Sequence, residues 1–214
     1  MQGRRGEILQ GHCARGRANP VLPEEPAAGT PAGVRGGIQA REVTGTLKIR
    51  PATVADAASL LAIYRPFVES TAVSFETVAP TTDEFAARIS KALAGWQWLL
   101  AERGGQCIGY AYGSAHRERA AYRWSVEVSA YVHPGHGRQG VGRALYERLL
   151  EDLAQKGFCN AYAGVTMPNE GSIALHRRMG FESIGVFKAV GRKFGRWHDV
   201  AWFQRSLRSS PPQE

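Results

Sequence analysis

The sequence predicts an α/β (α+β) domain in which a mixed sheet is flanked by helices. Three observations predict it. All 20 aromatic residues of the 214-residue chain lie between Tyr64 and Phe203, so a single region supplies the core. Within that region, segments with strand-like composition alternate with segments whose apolar residues recur at helical spacing. From residue 47 onward the predicted order of elements is β-α-α-β-β-β-α-β-α-β-β.

Strands are predicted where β-branched and aromatic residues cluster, or alternate with polar ones, between glycine or proline. The seven segments are 47–50, 96–102, 107–112, 124–132, 160–166, 181–190 and 199–207. The four helices are one ending near residue 69, one containing 85–93, one at about 140–156 and one at 170–179. Thr53-x-x-Asp56 and Thr81-x-x-Glu84 resemble capping boxes and mark where the first two helices begin.

Residues 1–46 differ from the rest of the chain in composition. They include no aromatic residue and carry 9 Gly, 4 Pro and 6 Arg. Such a segment buries too little apolar surface to offset the roughly 1 to 2 kcal/mol per residue that ordering costs. We therefore expect a disordered arm at 1–46, one domain at 47–207 and a flexible tail at 208–214. A misassigned start site is the alternative explanation of the arm.

Several classes of protein are excluded. No apolar run approaches the roughly 20 residues of a membrane helix, and no signal-peptide apolar region follows the basic start. Cys13, Cys107 and Cys159 are an odd number without a Cys-x-x-Cys motif, and the six histidines show no metal-ligand spacing. These features predict a cytoplasmic protein that uses no metal and no membrane.

The net charge of +8 points to an anionic partner. The arm accounts for two of these charges, with 6 Arg against 4 Glu, and +6 remains on residues 47–207. That charge is scattered in local groups and forms no stripe, so we expect a small polyanionic ligand in preference to a nucleic acid.

A glycine-rich turn at residues 137–143 is the best candidate for an anion site. It lies between a predicted strand and a predicted helix, where backbone N–H groups and the helix dipole favour a phosphate. Its glycines match neither a Walker loop nor the dinucleotide fingerprint. Arg138 and Arg143 beside it favour phosphate over the alternative, a turn that only packs a helix on a sheet.

Glu127 is the best candidate for a base. It interrupts the apolar strand at 124–132, where a carboxylate is a poor strand former and is costly to bury. Alternation places Glu127, Ser129 and Tyr131 on one face of the strand and Val126, Val128 and Ala130 on the other. The alternative is a solvated carboxylate on an exposed face.

The chain resembles the GNAT superfamily of N-acetyltransferases, and within it the family of phosphinothricin and methionine sulfoximine N-acetyltransferases. The matching stretches are 49–52, 70–77, 122–134, 167–172 and 195–200, in order along the domain. The resemblance implies a GNAT fold with a mostly antiparallel sheet and about four helices, and acetyl-CoA as co-substrate. It also implies a bulged fourth strand that holds the pantetheine and the thioester.

By this resemblance the cofactor-binding residues are Ala130, Tyr131, Val132, Arg138, Gln139, Gly140, Val141, Gly142, Arg143 and Asn169. Asn169 also fits a helix N-cap. Where the family's cradle for the pyrophosphate usually begins with Gln or Arg, this chain has Gly137.

The same resemblance implies catalytic roles for two residues and acceptor-binding roles for five. Glu127 would be the general base, and His176 would be the general acid that protonates the leaving thiolate. The acceptor would contact Phe75, Glu76, Arg117, Arg119 and Tyr122. The family's Phe-Arg-x-Arg reads His116-Arg117-Glu118-Arg119 here, which bears on the identity of the acceptor.

The function expected from these features is acetylation of the α-amine of a small amino acid or analogue, in a detoxifying enzyme that is a homodimer by family analogy. The alternatives are acetylation of a protein or peptide amine, and a non-catalytic acyl-CoA binding module.

Overall fold

A computed structural model describes residues 45–211. The predicted arm at 1–46 therefore lies, except for its last two residues, outside the described residues, as does the end of the tail. The strands are β1 (Lys48–Pro51), β2 (Trp98–Arg103), β3 (Gln106–Ala115), β4 (Ser125–Val132), β5 (Asn160–Thr166), β6 (Glu182–Lys193) and β7 (Arg196–Ser206). The helices are α1 (Ala57–Ser70), α2 (Thr82–Gly95), α3 (Val141–Gln155) and α4 (Glu170–Arg178).

The seven strands form one sheet in the order β1-β2-β3-β4-β5-β7-β6. Every neighbouring pair is antiparallel except β4 and β5, which are parallel and joined by α3. The order of elements and the mixed, mostly antiparallel sheet confirm the sequence prediction.

The two faces of the sheet are covered by different helices. The helices α1 and α2 pack on one face in an aromatic core that includes Tyr64, Phe85, Trp98 and Tyr110. On the other face α3 packs through leucines such as Leu145 and Leu149, with α4 beside it. Alternation along β2 to β5 produces these two apolar surfaces.

Both predicted capping boxes form. The Thr81 backbone N–H donates to the Glu84 carboxylate at 2.7 Å, and the Thr81 hydroxyl accepts from the Glu84 N–H at 3.3 Å. At the other box, Asp56 accepts from the Thr53 N–H and also pairs with Arg50 on β1 at 2.7 Å. The Arg50 guanidinium lowers the pKa of Asp56 to about 2.

Two expectations about strands differ from the structure. The hairpin of β6 and β7 extends to the turn at residues 194–195, whereas the predicted strands end at residue 190 and begin again at residue 199. The bulge that the resemblance implies in β4 is absent from its pairing with β3, because Val126 to Val132 face Ala115 to Gly109 without a shift of register. The sheet opens instead between β4 and β5, which pair over three residues only.

Candidate active site

The sheet opens between β4 and β5. The two strands pair only over Ser125 to Glu127 and Asn160 to Tyr162, although β4 continues to Val132 and β5 to Thr166. On their outer sides β4 stays paired with β3, and β5 with β7. The backbone groups that face the opening are therefore free to bind a ligand.

A cavity of about 60 Å³ lies in this opening. Its walls come from β4, β5, α3 and α4, and its lining includes Val128, Ser129, Ala130, Tyr131, Tyr146, Gly164, Asn169, Ser172 and His176. Four of the residues expected from sequence, Ala130, Tyr131, Asn169 and His176, meet at this cavity. Val132 is half-buried at the end of the same strand.

Glu127 lies at the point where β4 and β5 part, as the last residue of β4 that pairs with β5. Its side chain is 30% exposed. It pairs with Ser114 of β3 and Tyr162 of β5, so it lies on the face that α1 and α2 cover. The face predicted from alternation is confirmed, since Val126 and Val128 are buried on the opposite side.

Two side chains from the β3–β4 connection contact the Glu127 carboxylate. The His116 Nδ1 atom lies 3.0 Å from Glu127 Oε1, and the Arg117 Nη1 atom lies 3.7 Å from the same oxygen. Tyr122 packs edge-on against His116 with 5.8 Å between ring centroids. Arg119 lies on the same connection and is exposed. Of the acceptor-binding residues expected on this connection, Arg117 thus contacts the candidate base and Tyr122 contacts its neighbour His116.

His176 lies on the other face of the sheet and is 3% exposed. Its Nδ1 atom is 2.7 Å from the Ser172 carbonyl oxygen, which can only accept, so Nδ1 carries a proton. Its Nε2 atom is 3.1 Å from the Tyr146 hydroxyl. Burial lowers the pKa of His176 below its ordinary value, while the hydrogen bond to Ser172 acts in the opposite direction. The Nε2 atom of the neutral imidazole therefore accepts a hydrogen bond from the Tyr146 hydroxyl.

Tyr146 is the buried partner of His176 on α3. It is 2% exposed and lines the same cavity. Burial raises the pKa of its hydroxyl well above the ordinary value. Tyr146 therefore stays protonated at neutral pH and connects His176 to the opening.

The glycine-rich turn leads directly into α3. Gly140 is the N-cap with a φ of +79°, a conformation that costs a residue with a Cβ about 1 kcal/mol or more. Because glycine has no side chain to cap the helix, the first N–H groups of α3 need an outside acceptor. An added Cβ at Gly142 would lie 3.2 Å from Leu175, so glycine also lets α3 approach α4. The turn fits a bound phosphate, as the sequence predicts.

The side chains of the turn are partly engaged. Gln139 accepts a hydrogen bond from Arg103 at the β2–β3 turn and donates to the Gly135 carbonyl at 3.4 Å. Arg143 is exposed and pairs with Glu147 one helical turn along. Arg138 is exposed and, at a φ of +60°, is the one non-glycine residue of the turn in the left-handed region. Gln139 thus braces the turn, while the two arginines lie at its surface.

Asn169 caps α4, because its Oδ1 atom accepts from the Ser172 N–H at 3.1 Å. This confirms the N-cap interpretation. Its side chain also lines the cavity, and contact with the co-substrate stays a prediction.

The loop after α1 packs against the β6–β7 hairpin. Phe75 is 38% exposed and lies over Gly191, where an added Cβ would meet its ring at 2.2 Å. Phe75 therefore covers the hairpin and does not belong to the core. Lys193 is 5% exposed and donates to the carbonyls of Val68 and Ser74 at 2.6 and 2.7 Å, which fixes the loop on the hairpin.

Glu76, on the same loop, forms an ion pair with Arg88 of α2. Its carboxylate accepts from Arg88 at 2.6 and 3.1 Å and from the Tyr64 hydroxyl at 2.9 Å. Both oxygens are thus engaged by the protein itself. Between α2 and the sheet, on the same face, lies a cavity of about 340 Å³ walled mainly by Tyr64, Phe85, Trp96, Trp98, Tyr110 and Tyr112.

A family model described as an acetyltransferase (GNAT) domain matches residues 49–202. The chain belongs to the GNAT family. It is an N-acetyltransferase, and acetyl-CoA is its co-substrate. The free amides at the start of α3 and the opening between β4 and β5 fit the pyrophosphate and the thioester arm of that molecule. Within residues 45–211 no group of histidine, cysteine and acidic side chains could hold a metal ion, and no helix could cross a membrane.

Three named relatives show which N-acetyltransferases of the GNAT family this chain is similar to. The GNAT domain is 36% identical over 166 residues to a phosphinothricin N-acetyltransferase of Streptomyces viridochromogenes, covering 78% of this chain and 91% of that one. It is 35% identical over 162 residues to an L-methionine sulfoximine/L-methionine sulfone acetyltransferase of Salmonella typhimurium, covering 75% and 95%. Among solved structures, a phosphinothricin acetyltransferase of Sinorhizobium meliloti in complex with acetyl-CoA superposes with a TM-score of 0.75 at 38% identity, covering 79% and 92%.

Sequence reasoning missed three contributors to the site. His116 lies beyond the end of a strand, and only the pairing of Ala115 with Val126 brings it to Glu127. Tyr146 has the spacing of a core residue on α3 and is buried in the core. The sequence therefore gave no separate indication that its hydroxyl contributes to the site. Lys193 lies between two predicted strands, where a buried lysine is not anticipated.

Proposed function

We propose that this GNAT enzyme transfers the acetyl group of acetyl-CoA to the α-amine of a small amino acid, or of an analogue of the phosphinothricin, methionine sulfoximine or methionine sulfone type. The observation that carries the proposal is the position of Glu127 at the point where β4 and β5 part. There the carboxylate of Glu127 lies on one face of the sheet, and the next residue, Val128, lines the cavity on the other. The names of the relatives at 35 and 36% identity support the acceptor class.

The co-substrate binds from the α3 and α4 face. Backbone N–H groups of the glycine-rich turn and of the first turn of α3 hold the pyrophosphate, with Arg138 and Arg143 adding positive charge. The pantetheine lies along Ala130 to Val132, on the edge of β4 that faces the opening. Asn169 contacts the co-substrate while capping α4.

The acceptor binds from the α1 and α2 face. Arg117 and Arg119 pair with its acidic groups, and Tyr122 and Phe75 contact its apolar part. Glu76 shapes this side through its ion pair with Arg88. Guanidinium groups pair with carboxylates and phosphates through two parallel hydrogen bonds, and a phosphinate offers the same pair of oxygens.

Glu127 is the general base of the proposed reaction. At neutral pH the acceptor is an ammonium ion, which has no lone pair to attack a carbonyl carbon. The N–H bond breaks as an O–H bond forms on Glu127, and the freed amine then attacks the thioester carbon. The C–S bond breaks, the nitrogen of the new amide releases its second proton to solvent, and the sulfur leaves as a thiolate that needs a proton.

His176 supplies that proton through Tyr146. When the imidazole is protonated, its Nε2–H donates to the Tyr146 oxygen, and the Tyr146 hydroxyl in turn donates to the thiolate. Tyr146 gains a proton from His176 as it passes its own proton to the thiolate, so Tyr146 is unchanged and His176 ends neutral. His176 is neutral at rest and first takes up a proton at Nε2, and its 3.1 Å contact with the Tyr146 hydroxyl supplies the path for the transfer.

We also propose that the enzyme is a detoxifying homodimer. The edge strand β6 exposes Ile184, Val186, Phe187 and Val190 by 43 to 52%, and nothing within residues 45–211 pairs with its outer edge. An edge strand with exposed apolar side chains is stabilised by association with a second copy. The cytoplasmic location stays a prediction.

A thiol-release assay tests the proposed reaction. The full chain is incubated with acetyl-CoA and, separately, with phosphinothricin, methionine sulfoximine, methionine sulfone and a short peptide with a free amino terminus. We expect CoA release that depends on at least one of the amino-acid analogues. Release with the peptide alone would favour the protein-amine alternative, and acetyl-CoA binding without release from any amine would favour a binding module.

A further inference from the structure

We propose that His116 is a positioning residue for Glu127: it donates its Nδ1–H to Oε1 of the carboxylate and leaves Oε2 for the acceptor ammonium. The inference rests on the proposed function of Glu127 as the base. It adds a second residue to the base, at a position where the family resemblance leads one to expect phenylalanine.

The contact is short and sheltered. The His116 Nδ1 atom lies 3.0 Å from Glu127 Oε1, and the two side chains are 13% and 30% exposed. His116 directly follows the end of β3, and the last pair of the β3–β4 ladder, Ala115 with Val126, fixes its backbone next to Glu127. A hydrogen bond to a carboxylate is worth about twice a neutral one.

The imidazole ring is held by its neighbours. It stacks on Tyr162 of β5 with 4.3 Å between centroids and a 12° interplanar angle. Trp202 of β7 and Tyr122 of the connection meet it edge-on at 6.4 and 5.8 Å. A phenylalanine ring can occupy the same aromatic cage. What histidine adds is a proton donor aimed at the carboxylate.

This donor changes what the carboxylate can do. A carboxylate free to rotate presents either oxygen to the amine, whereas one held at Oε1 presents Oε2 in a single orientation. Proton transfer then breaks one N–H bond of the ammonium and forms one O–H bond on Oε2. Preorientation of this kind lowers the barrier without altering how tightly either substrate binds.

Two variants separate positioning from packing. His116→Phe keeps the stacked ring and removes the donor, while His116→Asn keeps a donor near the place of Nδ1 and removes the ring. We expect kcat of His116→Phe to fall about ten- to a hundred-fold with KM for acetyl-CoA unchanged. We expect His116→Asn to recover most of that loss.

The result that would overturn the proposal is a His116→Phe enzyme with the kcat of the wild type. A second measurement needs no activity. Long-range ¹H–¹⁵N correlation spectra of the ¹⁵N-histidine-labelled full chain, with the His116 signals identified by their loss in His116→Asn, report which nitrogen carries the proton. We expect the neutral ring to be protonated at Nδ1, and a ring protonated only at Nε2 would refute the hydrogen bond.

These readouts also distinguish failure of the inference from failure of the proposed function. A wild type that acetylates an amino acid, with a His116→Phe variant of equal activity, refutes only the role of His116. A wild type that acetylates no amine refutes the proposed function, and the tautomer still decides whether His116 donates to Glu127.

Discussion

At the scale of single residues, Lys193 joins the hairpin to the acceptor side of the site. Its ammonium group donates to two carbonyl groups of another segment, at 2.6 and 2.7 Å, and the residue is 5% exposed. Burial lowers its pKa from the ordinary value, with Glu76 acting in the opposite direction. Lys193 thus holds the loop that carries Phe75 and Glu76, in addition to the contacts of Glu76 with Arg88 and Tyr64.

Lys193→Met tests this dependence. The variant leaves the carbonyls of Val68 and Ser74 without their donor, so we expect the free energy of unfolding to fall by about 1 to 3 kcal/mol and KM for the acceptor to rise. Urea denaturation and steady-state kinetics measure the two effects. Lys188→Met is the matched control, because Lys188 is 77% exposed in a surface ion pair and should change stability by less than about 1 kcal/mol. Equal effects of the two variants would contradict the role given to Lys193.

The residues of the site differ in how far sequence alone predicts them. Glu127 is predictable from the local sequence, because it interrupts an apolar strand and alternation assigns it to one face of that strand. The contact between His116 and Glu127 has no local signal, since it depends on where β3 ends and how it pairs with β4. The bond between Tyr146 and His176 joins two helices separated by a strand, and sequence spacing cannot report it.

At the scale of elements, the turn into α3 illustrates what a local pattern can establish. Its glycine spacing predicted an anion site, and the structure explains each glycine differently. Gly140 has a positive φ, Gly142 allows close packing on Leu175, and Gly137 has φ −61° and ψ 152°, which any residue adopts. The departure from the family at Gly137 therefore falls where no glycine is needed.

The comparison of Gly140→Ala with Gly137→Ala tests the cradle. Alanine at residue 140 opposes the left-handed conformation and should displace the amides that hold the pyrophosphate, so we expect the Kd for CoA to rise about tenfold. At residue 137 the added Cβ would lie 3.6 Å from the Pro134 carbonyl oxygen, an ordinary contact, and the Kd should stay within about twofold. Isothermal titration calorimetry measures both. Equal affinities in the two variants would rule out the cradle at Gly140.

Elements with one buried face were predicted well, and the hairpin at the edge was not. The strand β5 matches its expected bounds at both ends, because Gly157 and the Met167-Pro168 pair limit it. The strands β6 and β7 extend further than expected, because residues 191–198 are rich in Gly, Arg and Lys and are mostly exposed, so alternation leaves no apolar pattern to follow. The separation of β4 from β5 likewise depends on how the two strands pair, and nothing in the β4 sequence predicts it.

At the scale of the whole molecule, β6 should be the centre of a dimer interface. We expect light scattering of the purified protein to give twice the 23.3 kDa chain mass. Ile184→Lys and Val186→Lys place charges on the exposed apolar strand and should produce monomers. Val78→Lys, at a site that is 79% exposed on the loop before α2, is the control and should leave the dimer intact. A wild type of single-chain mass at micromolar concentration would contradict the interface.

The distribution of functional groups across the sheet unites these features. Glu127, proposed as the base, lies on the α1 and α2 face, while Tyr146, His176 and the turn proposed to hold the pyrophosphate lie on the α3 and α4 face. The parting of β4 and β5 is where the two faces meet. An amine and a thioester that arrive from opposite sides can therefore react at Glu127 without sharing a binding pocket.

The central claim is that Glu127 takes the proton of the acceptor amine. The most direct measurement is the turnover of Glu127→Gln with the best amino-acid acceptor, taken together with its affinity for acetyl-CoA. Glutamine keeps the size of the side chain and cannot accept that proton, so we expect kcat to fall by about 10² to 10⁴ while the Kd for acetyl-CoA stays within about twofold. A Glu127→Gln enzyme that turns over at the rate of the wild type would contradict the account.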